Sequence, residues 1–303
     1  MGVTSRPLHR TPRPEPSALD DHDPAAVPSG AIEISRRPNP LQRMANVWRY
    51  RELMGNLVRK ELKVKYKNSV LGFMWSLLNP ALYLVVFSIV FQEILRTNVP
   101  YFGIFLLSGL LAWNLFATAL SAGAGSIVGN ASLVQKVWFP REILPLASIG
   151  AALVHFLLQG IVLLAALVIF RRAPSLDFAV AMVPAVIVLL LLMSALAIGL
   201  SAVNVYLRDT EHLLELVLLA WFWMSAIVYP YQLVAERLGG REWILLLNPM
   251  IPIIVTFQRV IYNPSGPDAL PDHGVGWYLT NLGYVGALSV VLFFGALWLF
   301  GLL

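Results

Sequence analysis

LVRKELKVKYKNSVLGFMWSLLNP, residues 57–80, sets five cations (Arg59, Lys60, Lys63, Lys65 and Lys67) and one acid, Glu61, in its first half and no charge in its second. A switch from strongly basic to uncharged and apolar within two dozen residues marks the edge of a membrane. Lys and Arg stay at the headgroup level, whereas about 20 apolar residues in a helix cross a hydrocarbon core of about 30 Å. The rest of the chain agrees. Of 303 residues, 58% are hydrophobic and only 13% charged, with a mean hydropathy of +0.70, against roughly 25% charged in a soluble domain. The predicted fold class is an all-α polytopic membrane protein.

Six runs are long enough to span, near residues 70–92, 101–124, 144–170, 176–203, 213–231 and 277–302. A shorter apolar pair over about 241–262 is interrupted by Asn248, Pro249 and Pro252. It is expected to form an extracytoplasmic re-entrant or interfacial hairpin, because broken backbone at membrane depth must be buried in protein or line a cavity. With the N-terminus in the cytoplasm, sixteen Lys and Arg fall inside and six outside (Arg96, Arg171, Arg172, Arg237, Arg241 and Arg259). The positive-inside rule selects that orientation, with both termini cytoplasmic in a multi-pass plasma-membrane protein. Arg171 and Arg172 are the local exception. Residues 1–40 are Pro- and Arg-rich, too poor in apolar residues to order themselves and without the apolar core of a signal peptide, so a disordered cytoplasmic tail is expected before a membrane domain at 41–303.

Within residues 43–67, eight Lys and Arg against two Glu leave a net +6, compared with +5 for the whole chain. Val47, Tyr50, Leu53, Met54, Leu57, Val58 and Leu62 recur at spacings of three and four, one face of an amphipathic helix. Such a helix is expected at the headgroup plane, its cations drawn to anionic lipid by about 1 kcal/mol each. A plain orientation signal explains the charge but not the apolar stripe.

Several chemistries are excluded. No Gly precedes a Lys, so no P-loop cradles a nucleotide, and no cofactor is expected in this chain. Cysteine is absent, the five histidines lack metal-ligand spacing, and no nucleophile motif or paired-carboxylate site occurs. The spans carry almost no ionisable group apart from His155, which reads as a hydrogen-bonded packing residue rather than a proton relay. The chain is therefore not expected to be an enzyme, and transport would require energy from a partner.

Two loops offer attachment points. In GNASLVQKVWFPREILP, residues 129–145, Asn130 and its neighbours are placed to cap a short helix, which Leu133, Val134, Val137, Trp138 and Phe139 make apolar. Lys136, Arg141 and Glu142 add direction, and Pro140 and Pro145 break the chain. An apolar helix in a cytoplasmic loop is a docking knob unless it tucks back into the bundle. In NVYLRDTEHLLE, residues 204–215, Arg208 and Asp209 stand at a reversal, with Asp209 and Thr210 placed to cap the next helix. Among the aromatic residues, Tyr83, Phe87, Trp113, Phe116, Trp221, Trp223 and Tyr229 are candidates either for interfacial belts or for an inner path, where rings would stack on apolar sugar faces.

In this order and at these separations, LVRKELKVKYKNSVLGFMWSLLNP, LVQKVWFPREILP, NVYLRDTEHL, SAIVYP and LLNPMIPIIVTFQRVIY resemble the membrane subunit of ABC-2 type polysaccharide exporters, over about residues 45–302. That family includes permeases for lipid-linked O-antigen, galactan and teichoic acid. The resemblance implies a homodimer around a central channel, with a separate ATPase subunit holding ATP and Mg. It also implies an interface helix at 43–67, a coupling helix at 130–143 and a gate hairpin at 235–265. By the same resemblance the substrate is a glycan on a polyprenyl diphosphate, whose head lies near Arg59, Lys60, Lys63, Lys65 and Lys67 beside membrane lipid. No nucleic-acid partner is expected. A drug or small-lipid exporter of the same type, or a scaffold or channel without an ATPase, are the competing readings. The Pro- and Arg-rich tail departs from the family pattern.

Overall fold

Five of the six apolar runs predicted to span form long helices in the computed structural model, which describes residues 40–67, 74–97, 99–263 and 270–302. Apart from Pro40, the predicted tail lies outside the described residues. These form twelve α-helices and no strand: α1 Pro40–Arg49, α2 Arg51–Tyr66, α3 Met74–Ser88, α4 Phe102–Gly129, α5 Ala131–Lys136, α6 Ile143–Ile169, α7 Ala179–Tyr206, α8 Thr210–Trp223, α9 Tyr231–Arg237, α10 Trp243–Leu246, α11 Met250–Ile261 and α12 Val275–Leu302. A π-helical turn, Ile89–Ile94, continues α3.

Among the described residues, five segments are long and apolar enough to cross a membrane: Met74–Ile94, Phe102–Gly129, Ile143–Ile169, Ala179–Tyr206 and Val275–Leu302. The expected run at 213–231 differs. Its helix, α8, has 14 residues, about 21 Å at 1.5 Å per residue, and stops before a turn over 224–230. There Ala226 takes a left-handed φ of 49°, and Pro230 restricts Tyr229 to non-helical backbone. Apolar composition continues through this turn, but helix does not.

The predicted helix over 43–67 forms as two pieces, α1 and α2. Its apolar stripe faces protein rather than lipid alone: Leu57 is buried with Ile127, Phe139, Ile143 and Leu144, while Val47, Tyr50, Leu53, Met54 and Val58 pack around them. Gly150 of α6 permits this seat, since a Cβ there would meet Val58 Cγ2 at 2.7 Å.

α4 is the hub, lying against α3, α6, α7, α8 and α11, while α12 covers α7. The apolar stretch of α4 is 83% buried within the chain. Small residues bring the axes together: a Cβ on Gly123 would stand 2.7 Å from the Ala197 methyl of α7. Helices that meet in lipid gain little from the hydrophobic effect and depend on such close van der Waals approach.

Candidate functional site

One end of the bundle gathers α2, α5, the start of α6 and the α7–α8 turn. Asn130 precedes α5 but does not cap it with its side chain. Its Nδ2 donates back to the Ser126 carbonyl at 2.8 Å, and its Oδ1 accepts from Lys60 Nζ at 2.7 Å. The predicted cap is thus a cross-link between the basic helix and the loop. Glu61, the one acid of the opening stretch, accepts from the buried Ser148 hydroxyl of α6 at 2.9 Å. Burial pushes its carboxyl above the usual range, with Ser148 and Lys60 opposing the shift. Burial likewise draws Lys65 below the usual lysine value. All five cations of the stretch, Arg59, Lys60, Lys63, Lys65 and Lys67, keep exposed side chains.

Further along α2, the Tyr66 hydroxyl bonds to Ser76 Oγ of α3 and to Nδ1 of His155 in α6. His155 is accordingly a hydrogen-bonded packing residue, as its isolation among apolar neighbours suggested.

The loop helix is shorter than the expected 130–143. α5 has six residues, and Val137 leaves helix with φ −132° and ψ 135°, the extended state that β-branched residues favour. Pro140 imposes the same preference on Phe139. The consequence is a division of labour within one dipeptide: Trp138 is 82% exposed and Phe139 only 5%. Phe139 anchors the loop in the cluster beneath α2, and Trp138 projects. Leu133 packs partly on the same cluster, Lys136 and Arg141 are exposed, and Glu142 is buried.

Arg141 and Arg208, 67 positions apart, both line an apolar cavity of about 300 Å³, whose walls also include Val134, Val205, Tyr206 and Phe300. The sequence pointed to both loops separately, and the fold joins them. Asp209 precedes α8 without capping it through its side chain, and the Thr210 hydroxyl turns back to the Leu207 carbonyl. The reversal is instead held by Asn204, whose Nδ2 donates to Ala124 O at 3.1 Å and to Glu211 Oε1 at 2.7 Å.

At the other end, Asn248 is a junction. Its Oδ1 accepts from Trp221 Nε1 at 2.7 Å and from the Met250 amide at 3.0 Å. Its Nδ2 donates to Met224 O and Ser225 Oγ, so the end of α8 is tied to the start of α11. Pro249 opens α11 and Pro252 is buried in its first turn. Away from this junction, Tyr231 lies 6.3 Å from Trp277 near the start of α12, and the Tyr262 hydroxyl donates to Pro100 O at 2.8 Å. Trp113 and Phe116 are buried against Trp221, at ring separations of 6.5 and 5.1 Å. Tyr83 and Trp223 are exposed, Phe87 packs edge-on to Tyr83, and the Tyr229 hydroxyl donates to Trp223 O.

Arg172, the exception to the charge rule, has a local use. Its guanidinium lies over the Tyr101 ring at 5.3 Å and donates to Asn263 O at 2.9 Å. Tyr101, Arg171 and Asn263 all take left-handed φ near 50°, costly for non-glycine residues unless their surroundings hold them. Sequence reasoning also missed Ser148, Tyr66, Asn204 and Gln258. Ser148, Asn204 and Gln258 are polar within apolar stretches, which is the only signal available for them, and Tyr66 stands between two lysines; the partners of Ser148, Asn204 and Tyr66 lie on other helices.

These features define a class: a multi-span helical membrane protein with a basic surface helix and an exposed aromatic and cationic loop at one end. The chain belongs to the ABC-2 type transporter membrane family, whose sequence pattern matches residues 52–262. The resemblance drawn from the five motifs is thereby established at the level of that family. The chain is 33% identical to the O-antigen export system permease protein RfbA of Myxococcus xanthus, over 82% of this chain and 92% of that one. It is 29% identical to the protein of the same name from Klebsiella pneumoniae, over 70% and 81% of the two chains. To the polysialic acid transport protein KpsM of Escherichia coli it is 23% identical, over 68% and 79%.

Proposed function

We propose that this chain is the membrane permease of an ABC exporter that carries a polyprenyl-diphosphate-linked polysaccharide, of the O-antigen or galactan type, outward across the plasma membrane. The observation that carries the reading is the likeness along 92% of an O-antigen export permease, which includes the basic helix, the loop of α5 and the segment around Asn248. ATP, with Mg, is hydrolysed in a separate subunit, and two copies of the permease enclose the path.

In this reading the ATPase docks where Trp138, Arg141 and Arg208 are exposed together. Its movement passes to α6 through the buried Phe139 and to α2 through the Lys60–Asn130 bond. α8 and the turn that follows it make the sixth crossing. The hairpin over 235–265 is the re-entrant gate, which the Asn248 junction holds shut. The exposed cations of the basic helix, Arg59, Lys60, Lys63, Lys65 and Lys67, gather lipid-linked substrate at the cytoplasmic surface, where its diphosphate lies.

Depletion of the chain tests the reading. Lipid-linked glycan is expected to accumulate inside the cell, and the chain is expected to co-purify with an ATPase. Normal surface glycan after complete depletion would overturn it.

A further inference from the structure

Where α2 crosses α6 there is a cavity of about 110 Å³, walled by Glu61 and Lys65 of α2, Thr118 of α4 and Ser148 and His155 of α6, over a floor of alanines. Its polar groups are preset. Ser148 fixes one Glu61 carboxylate oxygen at 2.9 Å, leaving the other to accept. Tyr66 occupies His155 Nδ1 at 2.9 Å, leaving Nε2 as the ring nitrogen for a ligand.

The charges decide what fits. One carboxylate and one ammonium share the walls, so a phosphate drawn to Lys65 meets Glu61, and a cation drawn to Glu61 meets Lys65. A neutral ligand with adjacent donors and acceptors satisfies both groups. A carboxylate accepts from neighbouring hydroxyls, an ammonium donates to them, and hydroxyl or imidazole groups do either. The alanine floor suits a C–H surface, and the volume admits one edge of one ring rather than a chain. This combination of a few fixed polar groups over an apolar base is that of a small-molecule site.

We infer that this cavity is a subsite for the hydroxylated edge of a single neutral sugar, a ring of the glycan held beside the basic helix before it enters the bundle. The inference rests on the exporter reading and refines it at Lys65, which serves the sugar while Arg59, Lys60, Lys63 and Lys67 face the diphosphate.

The test is saturation-transfer NMR on the full chain in lipid nanodiscs, with free galactose, mannose, rhamnose and N-acetylglucosamine as probes and inorganic pyrophosphate as competitor. At least one sugar is expected to receive saturation. Ser148→Ala and Glu61→Gln are each expected to weaken binding about tenfold, the factor set by roughly 1.4 kcal/mol for a lost charge-assisted hydrogen bond. Thr118→Val, an isosteric change at an exposed position that leaves the fold alone, is expected to weaken it as well. Signals no stronger than those of empty nanodiscs, signals from all three variants as strong as the parent's, or displacement of the sugar by pyrophosphate would each overturn the inference. Absent sugar binding in a chain whose depletion still strands glycan inside the cell would leave the exporter reading standing and remove only the subsite.

Discussion

The Tyr66 hydroxyl stands 2.9 Å from Nδ1 of His155 and 2.7 Å from the Ser76 hydroxyl, so a single side chain at the end of the basic helix bolts it to two membrane helices. Tyr66→Phe keeps the ring, packed edge-on to the imidazole at 5.7 Å, and removes only the hydroxyl. A loss of about 1 kcal/mol is expected, read as a lower melting temperature of the purified protein in detergent. Because Tyr66 and His155 share one bond, adding His155→Phe to Tyr66→Phe is expected to cost less than the sum of the two single changes. Full additivity would show that the bond is not formed.

Glu61 gives the chain a pH response. Its folded carboxyl is raised above 4.5, chiefly by burial, so just above that value the folded chain keeps a proton that the unfolded chain has released. Stability from this group therefore falls as pH rises from 4.5 through the raised value, and stays low above it. Glu61→Gln, which cannot ionise, is expected to melt higher than the parent near neutral pH and to show a flatter dependence on the acid side. Melting curves recorded from acid to neutral pH check this, and a steeper dependence in the variant would contradict it.

Trp138, exposed, and Phe139, buried, allow the proposed docking role to be tested apart from folding. Phe139→Ala empties a place in the cluster of Leu57, Ile143 and Leu144 and is expected to cost about 3–5 kcal/mol of stability. Trp138→Ala removes an exposed ring, leaving the melting temperature unchanged while weakening co-purification of the ATPase. A change in ATPase retention with Phe139→Ala alone would move the docking contact away from Trp138.

Gln258 of α11 is fully buried, with neither Nε2 nor Oε1 hydrogen-bonded. Gln258→Leu keeps nearly the same volume and removes the unpaired amide, so a gain of about 1–3 kcal/mol is expected. Gly109→Ala is expected to do the opposite, because its Cβ would meet Gln258 Nε2 at 2.8 Å. A lower melting temperature for Gln258→Leu would contradict the burial of a bare amide.

The long apolar runs were legible in the sequence because hydropathy over about 20 residues is a direct record of the solvent a helix meets. α8 was misjudged in length because composition reports apolarity and not whether backbone stays helical through Ala226 and Tyr229. The two loops were legible as surfaces, since aromatic residues beside Lys136 and Arg141 stand out from their surroundings. Their meeting around Phe300, and the contrast between Trp138 and Phe139, depend on which way adjacent side chains turn beside Pro140. The pairs Glu61–Ser148, Tyr66–His155 and Asn204–Ala124 were out of reach, for each joins residues 80 or more positions apart. Helical periodicity orients one helix but does not name its neighbour.

The enclosure of α4 bears on how the protein is made. α4 is synthesised before α6, α7 and α11, yet those are helices that come to cover it, so when it leaves the ribosome its flanks face lipid or the insertion machinery. Its mean hydropathy of 1.8, against 2.8 for α7, is low for a helix that must enter the bilayer with little company. A polar substitution on α4 that the finished bundle would accommodate can therefore still fail, at the earlier moment when the helix partitions into the membrane before its covering helices have been made.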